Sequence, residues 1–344
     1  MVIDANLYWV PEALFTDDDL MARFLGEVKF GWHGRCEEIP GTNGKKQVVL
    51  EKPEGSPNLN YVQGDYEMES QLADLDAAGV DKALLKVPGC HEWMDLDFCR
   101  MFNDGMHAYE KASNGRLIAL AVVPPYGTPE SLAELERCKK ELGMNAVQVS
   151  AHYGDAYLDD EKFDAFFAKV NELEMSVYVH HTPIPAEYQS FCAYNNVRRS
   201  YGRCVDQGLA VGREVFSDLF VKYPNLKMVH SMLGGGFFAI ANMMFPQQAK
   251  KSEDVSRFKS DSGEMAARFR EHIYFEMSHA QPWGKDQLEC AVKVLGADHI
   301  IWGTSYPVRK EWLTDGPAFV RALDVTEEEK EQMLHGNAEK IYQI

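Results

Sequence analysis

The stretch Val2-Ile3-Asp4-Ala5-Asn6-Leu7-Tyr8 decides how the rest of this 344-residue chain is read. It is a short, largely apolar run that opens on β-branched residues and stops before Val10-Pro11, the mark of a buried strand. Similar short runs recur at 83–87, 117–122, 146–150, 176–180, 227–231, 272–276 and 299–302. Between them lie segments of helical period, such as SLAELERCKKELG (131–143) and DDEKFDAFFAKVNELE (159–174), whose apolar residues return every three or four positions. Parallel strands need crossover helices, so eight such runs predict an α/β fold, a (β/α)8 TIM barrel. A barrel of this kind accounts for residues 1–344 as one domain.

Two segments exceed a minimal βα connection. Residues 10–65, with GTNGKKQ and EKPEGSPN as turn-rich islands, follow strand one, and residues 182–203 follow strand five. Both leave the carboxyl ends of strands, the face on which barrel active sites are built, and a lid or a subunit contact is expected there.

A net charge of -18 sets the chain against nucleic-acid phosphates and anionic membrane surfaces, which would repel it. No run approaches the ~18 apolar residues of a membrane span, and MVIDANLYWVPE lacks the basic and apolar regions of a leader. The seven cysteines are scattered without a C-x-x-C pair, so neither a disulfide framework nor a cysteine zinc site is expected. The composition fits a cytoplasmic enzyme.

In order along the chain, VIDANLYW (2–9), LADLDAAGVDKALL (72–85), NGRLIALAVVPP (114–125), VYVHH (177–181), YPNLKMVHSMLGGG (223–236), IIWGTSYP (300–307) and LHGNAEKIY (334–342) together resemble the amidohydrolase-related family. That family, of amidohydrolase 2 type, includes decarboxylases similar to aminocarboxymuconate semialdehyde decarboxylase, and lactone hydrolases. The resemblance implies Asp-x-His-x-His on strand one, a histidine ending strand five, His-x-Gly-Gly after strand six and Gly-Ser-Asp-x-Pro after strand eight. Here those places read Asp4-Ala5-Asn6-Leu7-Tyr8, His180, Met232-Leu233-Gly234-Gly235 and Gly303-Thr304-Ser305-Tyr306-Pro307. Zinc favours imidazole, thiolate and carboxylate over amide, thioether and hydroxyl. The sequence therefore predicts no catalytic metal and no cofactor. The competing expectation is a rearranged metal site drawing on His230 and His181.

Ser305 stands where the family's proton-handling aspartate would be, so an acid or base must come from elsewhere. His180 is the first candidate, with Tyr8 and Asn6 as neutral donors that face the barrel interior through their i,i+2 spacing. His152 after strand four, and Glu276 and His279 at strand seven, are further catalytic candidates. Arg203, Arg199 and Arg309 are candidates for holding a carboxylate, with Ser305, Met232 and His230 lining the substrate pocket. Each has a bland alternative: a wall histidine, polar filling, or a solvated surface arginine. Lys86, inside KALLKV, is either a functional charge in the barrel or a stem buried beneath a solvated ammonium.

The expected function is a metal-independent lyase, decarboxylating or cleaving a carbon–carbon bond in a small cyclic or aromatic carboxylate. Lactone or C–C hydrolysis, with or without displaced metal ligands, and a non-catalytic barrel with a decayed site are the alternatives. The resemblance also implies a homodimer.

Overall fold

The computed structural model describes residues 1–186, 189–245 and 262–344, so part of the strand-five insertion (187–188) lies outside the described residues. The barrel strands are Ile3–Tyr8, Lys82–Lys86, a third strand in two pieces (Leu117–Ala119 and Ala121–Val122), Ala146–Ser150, Ser176–His180, Met228–His230, Ile273–Glu276 and Ile300–Ile301. They pair in parallel, from strand one to strand three and from the second piece of strand three to strand eight. The two sheets join where Leu120 N donates to Leu85 O (3.3 Å). The ring closes where Ala5 N donates to Trp302 O (3.1 Å) and Ser305 N to Asn6 O (2.8 Å). The (β/α)8 barrel expected from the sequence is the fold.

Strands one, four and five are buried at every position, because helices cover one face and the barrel fills the other. The barrel floor packs Ile3, Ala5, Leu84, Tyr178, Val229 and Ile301 against Tyr342 of the helix Asn337–Tyr342. The covering helices follow local chemistry. In Pro129–Lys140, Thr128 caps the first turn by accepting from Ser131 N, and Pro129 takes the position that needs no N–H. Arg137, Lys139 and Lys140 meet the negative end of the helix dipole, while Leu135 and Cys138 face the barrel.

The first insertion contains the helix Asp18–Gly26 and an antiparallel sheet of His33–Glu38, Lys46–Glu51 and Pro57–Val62. The second insertion reaches across to it. Arg198 donates to Lys52 O (3.0 Å), Pro57 O (3.3 Å) and Asn195 Oδ1 (2.7 Å), and Arg203 donates to Asn58 Oδ1.

After strand six the chain turns left-handed: φ is +53° at Met232, +50° at Leu233, +58° at Gly234, +69° at Gly235 and +77° at Gly236. Contact fixes glycine at the tightest point, because a Cβ on Gly235 would lie 1.7 Å from the Cys204 carbonyl oxygen of the helix Arg203–Phe216. Gly235→Ala should therefore lower the unfolding free energy by about 3 kcal/mol or more, whereas Gly41→Ala should cost about 1–2 kcal/mol. Gly41 shares a positive φ of +80° but has nothing within 4 Å of its Cβ position, and urea titration of the two variants makes the comparison.

Candidate functional site at the barrel mouth

Strand one is held to strand eight by a buried carboxylate. Asp4 accepts from Thr304 N (3.0 Å), Thr304 Oγ1 and Asn6 N (2.9 Å), and burial pushes its pKa up to about 6. An irregularity in register between Asp4 and Leu7 follows. Beyond it, Asn6 Nδ2 donates to Glu276 Oε2 (3.2 Å) and Ser305 Oγ (3.0 Å), while Tyr8 reaches strand five.

Glu276 is fully buried and accepts from Tyr178 OH (2.9 Å), Ser278 Oγ (3.2 Å) and the Ser278 backbone N–H. Burial raises its pKa and the Lys86 charge opposes that rise. Gly303 makes room for it, since a Cβ there would meet Glu276 Oε1 at 2.2 Å. Ser305 has a φ of +61° and donates through Oγ to Ser278 O (3.2 Å). Asn6 Oδ1 is buried and has no hydrogen-bond partner among the described residues.

Tyr8 OH lies 3.0 Å from His180 Nε2. The other imidazole nitrogen, Nδ1, is 2.7 Å from His181 O, which only accepts, so in the neutral ring Nδ1 carries the proton. Nε2 is then the acceptor and Tyr8 the donor. Burial, followed by the neighbouring His91, holds His180 well below the usual imidazole range, and burial pushes Tyr8 up to about 12. Near neutrality the pair is a phenol bonded to a neutral base.

His91 was missed in the sequence. Its ring lies edge-on to His180 at 5.4 Å, Nδ1 accepts from Gln148 Nε2 (3.2 Å), and Nε2 faces Ser150 Oγ (3.0 Å). It belongs to GCHEW, directly after strand two, and its position at a strand's carboxyl end was the available signal. His181 stacks on His180 at 4.3 Å and is held by Ser231, in keeping with a wall position.

Lys86 points inward. Its side chain is fully buried, its Nζ sits 3.0 Å from the centroid of the Tyr178 ring, and burial pushes its pKa down to about 7 against the opposing pull of Glu276 and Asp4. The alternative of an outward, solvated ammonium is not what the chain adopts.

Arg203 lines the same narrow cleft as His180 and His181. Its Nε is buried without a partner among the described residues, and burial, with Arg199 adding to it, lowers its pKa to about 10. His279 stacks on Trp312 at 4.0 Å with Nδ1 buried and unpartnered among the described residues. Burial brings its pKa down to about 4, and the Arg203 charge acts in the same direction. Met232 is buried beside strand seven, its N–H donating to Ser278 Oγ (2.9 Å).

Three candidates lie elsewhere. His230 was expected on the same face as Met232, but Val229 fills the barrel floor, so His230 faces outward. Its ring bridges Gln207 Oε1 (2.8 Å) and Glu214 Oε2 (2.8 Å) of the covering helix. His152 is spent in a buried cluster with Thr182 Oγ1 (2.6 Å), Gly154 O (2.8 Å) and Asp206 Oδ1 (3.3 Å). Arg309 is exposed and paired with Glu311 (3.0 Å).

Barrel, mouth and motif order together define an amidohydrolase-type protein. A family profile described as Amidohydrolase matches residues 51–344, and the chain belongs to that family. It is 25% identical over 244 residues to the 2-amino-3-carboxymuconate-6-semialdehyde decarboxylase of Dictyostelium discoideum, spanning 71% of this chain and 66%, just under two thirds, of that relative. A 5-carboxyvanillate decarboxylase from Novosphingobium aromaticivorans, solved with manganese and 4-hydroxy-3-methoxy-5-nitrobenzoic acid, matches with a TM-score of 0.76 and 20% identity over 100% of this chain and 96% of that one. A dihydroxybenzoic acid decarboxylase from Polaromonas sp. JS666, solved with manganese and 2-nitroresorcinol, matches with a TM-score of 0.70 and 17% identity over 99% and 96%.

Those manganese ions overturn the expectation that the chain needs no cofactor. The expectation weighed the replaced ligands against zinc's preference for imidazole, thiolate and carboxylate, whereas manganese also accepts carbonyl and water oxygens. The donors present do not make a conventional cage. Among the described residues no three His, Cys, Asp or Glu side chains converge on one point, and both Glu276 oxygens are engaged.

Removing the buried His230 partner leaves Glu214 uncompensated, so His230→Ala should lower the unfolding free energy by about 3 kcal/mol or more. Turnover per folded molecule should stay within about twofold, as urea titration and active-fraction kinetics would show, because the residue lies outside the mouth.

Proposed function

We propose that the chain is a lyase that decarboxylates a small aromatic carboxylate, with His180 and Tyr8 moving the proton and Arg203 holding the acid group. The observation that carries this reading is the hydrogen bond between Tyr8 OH and a neutral His180 Nε2, with His180 lining a cleft shared with the unpartnered Arg203 Nε. The named relatives that act on carboxymuconate semialdehyde, carboxyvanillate and dihydroxybenzoate supply the substrate class.

For a hydroxybenzoate, the reaction balances with these groups. Tyr8 OH passes its proton to Nε2 of His180 as its oxygen takes the phenolic proton, and the relay then runs back: the imidazolium returns its proton to Tyr8 as Tyr8 delivers one to the ring carbon that bears the carboxylate. The carbon–carboxylate bond then breaks, its electron pair restores the aromatic ring as a phenolate, and carbon dioxide leaves. Solvent protonates the phenolate. Tyr8, protonated up to about 12, steadies the imidazole through its hydrogen bond, and Asn6 Nδ2 and Ser305 fix the adjoining wall. Arg199 adds positive charge beside Arg203, and His279, stacked on Trp312, lies within reach of the Arg203 charge.

A homodimer and a cytoplasmic setting are part of the same reading. The exposed Tyr194 and Tyr201 of the second insertion, with Met243 beyond strand six, support a subunit contact, and the seven free thiols fit a reducing compartment.

Assays of hydroxybenzoates with manganese supplied should release carbon dioxide, and His180→Ala and Tyr8→Phe should each lower kcat by about 10²–10⁴. Failure of every such acid to lose carbon dioxide would sink the reading. Because His180 acts in its neutral form and its pKa is lowered, kcat/KM should hold level through neutrality. It should fall only on acidification well below 6.5, as Nε2 becomes protonated. A rate that is lost as pH rises through 6.5 would instead require an imidazolium at rest.

A further inference from the structure

The cleft that His180 and Arg203 share is closed by the first insertion and by the segment after strand two, through Trp32, Asn58, Leu59 and Glu92. As closed, it has about 10 Å³, room for one water, so a ring enters only when the two insertions part. Its walls hold polar atoms with no hydrogen-bond partner among the described residues. Arg203 Nε and Asn58 Nδ2 are two donors, and Glu92 Oε1 is an acceptor. The donors are tied together, because Asn58 Oδ1 already accepts from Arg203 Nη2. Glu92 is fixed separately: Trp32 Nε1 donates to its Oε2 (2.8 Å), and its side chain is 1% exposed. The Lys52 ammonium lies 3.7 Å from Oε1, beyond hydrogen-bond distance.

Buried polar groups left unpaired cost free energy, and a site that retains them is matched to a guest that pairs them. A guanidinium N–H beside an amide N–H suits a carboxylate. A carboxylate acceptor suits a hydroxyl or amino hydrogen and repels a second anion. We propose that Glu92 is a specificity-determining residue that selects aromatic acids carrying a hydrogen-bond-donor substituent, with Arg203 and Asn58 seating the acid group at the other side of the cleft. This rests on the aromatic-carboxylate reading above and narrows it. A methyl ether in place of the hydroxyl cannot donate to Oε1 and leaves that buried oxygen without a hydrogen bond, a larger loss than a missing apolar contact.

The test is calorimetric binding of benzoate, the hydroxybenzoates and their methyl ethers to the full chain, wild type and Glu92→Met, with Glu92→Gln as the variant that keeps an acceptor oxygen and the Trp32 contact. Wild type should bind its preferred hydroxybenzoate at least about tenfold more tightly than the matching ether. Glu92→Met should bring the pair within about twofold, and Glu92→Gln should retain part of the preference. Equal binding of hydroxy acid and ether to wild type, an undiminished preference in Glu92→Met, or no binding of any acid in the series would each overturn the proposal. Because the readout is binding, a hydroxybenzoate that binds with the expected preference yet releases no carbon dioxide would count against the lyase reading alone.

Discussion

The seam between strands one and eight governs this protein. One buried carboxylate, Asp4, accepts from both Thr304 donors and from Asn6 N, and the adjoining Ser305 N–H donates to Asn6 O. Without that closure the barrel would present open sheet edges, and the side chains that follow on each strand would have no common centre. Because the seam fixes Asn6, Tyr8 and Ser305 against Glu276 and His180, the geometry of the mouth follows from the way the ring is shut.

Inside the ring, charge is confined to a few groups whose protonation burial sets. Glu276 is encircled by donors, Lys86 sits over the Tyr178 ring, and His180 is held neutral. An imidazole of that kind is a base at neutral pH, which fits a reaction that begins by removing a proton from its substrate. The insertions complete the arrangement from above, tied to each other through Arg198 and Arg203. In the proposed reading their residues, more than those of the barrel, meet the parts of a substrate that do not react.

Most of the barrel was legible because a parallel strand buried on both faces leaves an apolar run that little else in a chain produces. Each of the eight runs coincides with a strand, with ends differing by a residue or two. The antiparallel sheet in the first insertion was not legible, since HGRCEE at His33–Glu38 is largely exposed and carries no apolar alternation. The side chain of His230 was placed on the wrong face because counting by twos from Met232 assumes one continuous strand. The strand ends at His230, and the backbone turns left-handed at Met232. His91 and Glu92 escaped notice because their segment matches no motif and leaves the barrel's second strand without a length anomaly. The cofactor expectation failed for a chemical reason: replaced ligands were judged against one metal's preferences, while manganese is what the solved neighbours hold.

The most direct measurement is the mass spectrum of the product formed from a hydroxybenzoate in deuterium oxide, with manganese present. The account predicts loss of carbon dioxide and one deuterium on the ring carbon that bore the carboxylate, delivered through His180. A product that keeps its carboxylate and gains the elements of water would contradict it.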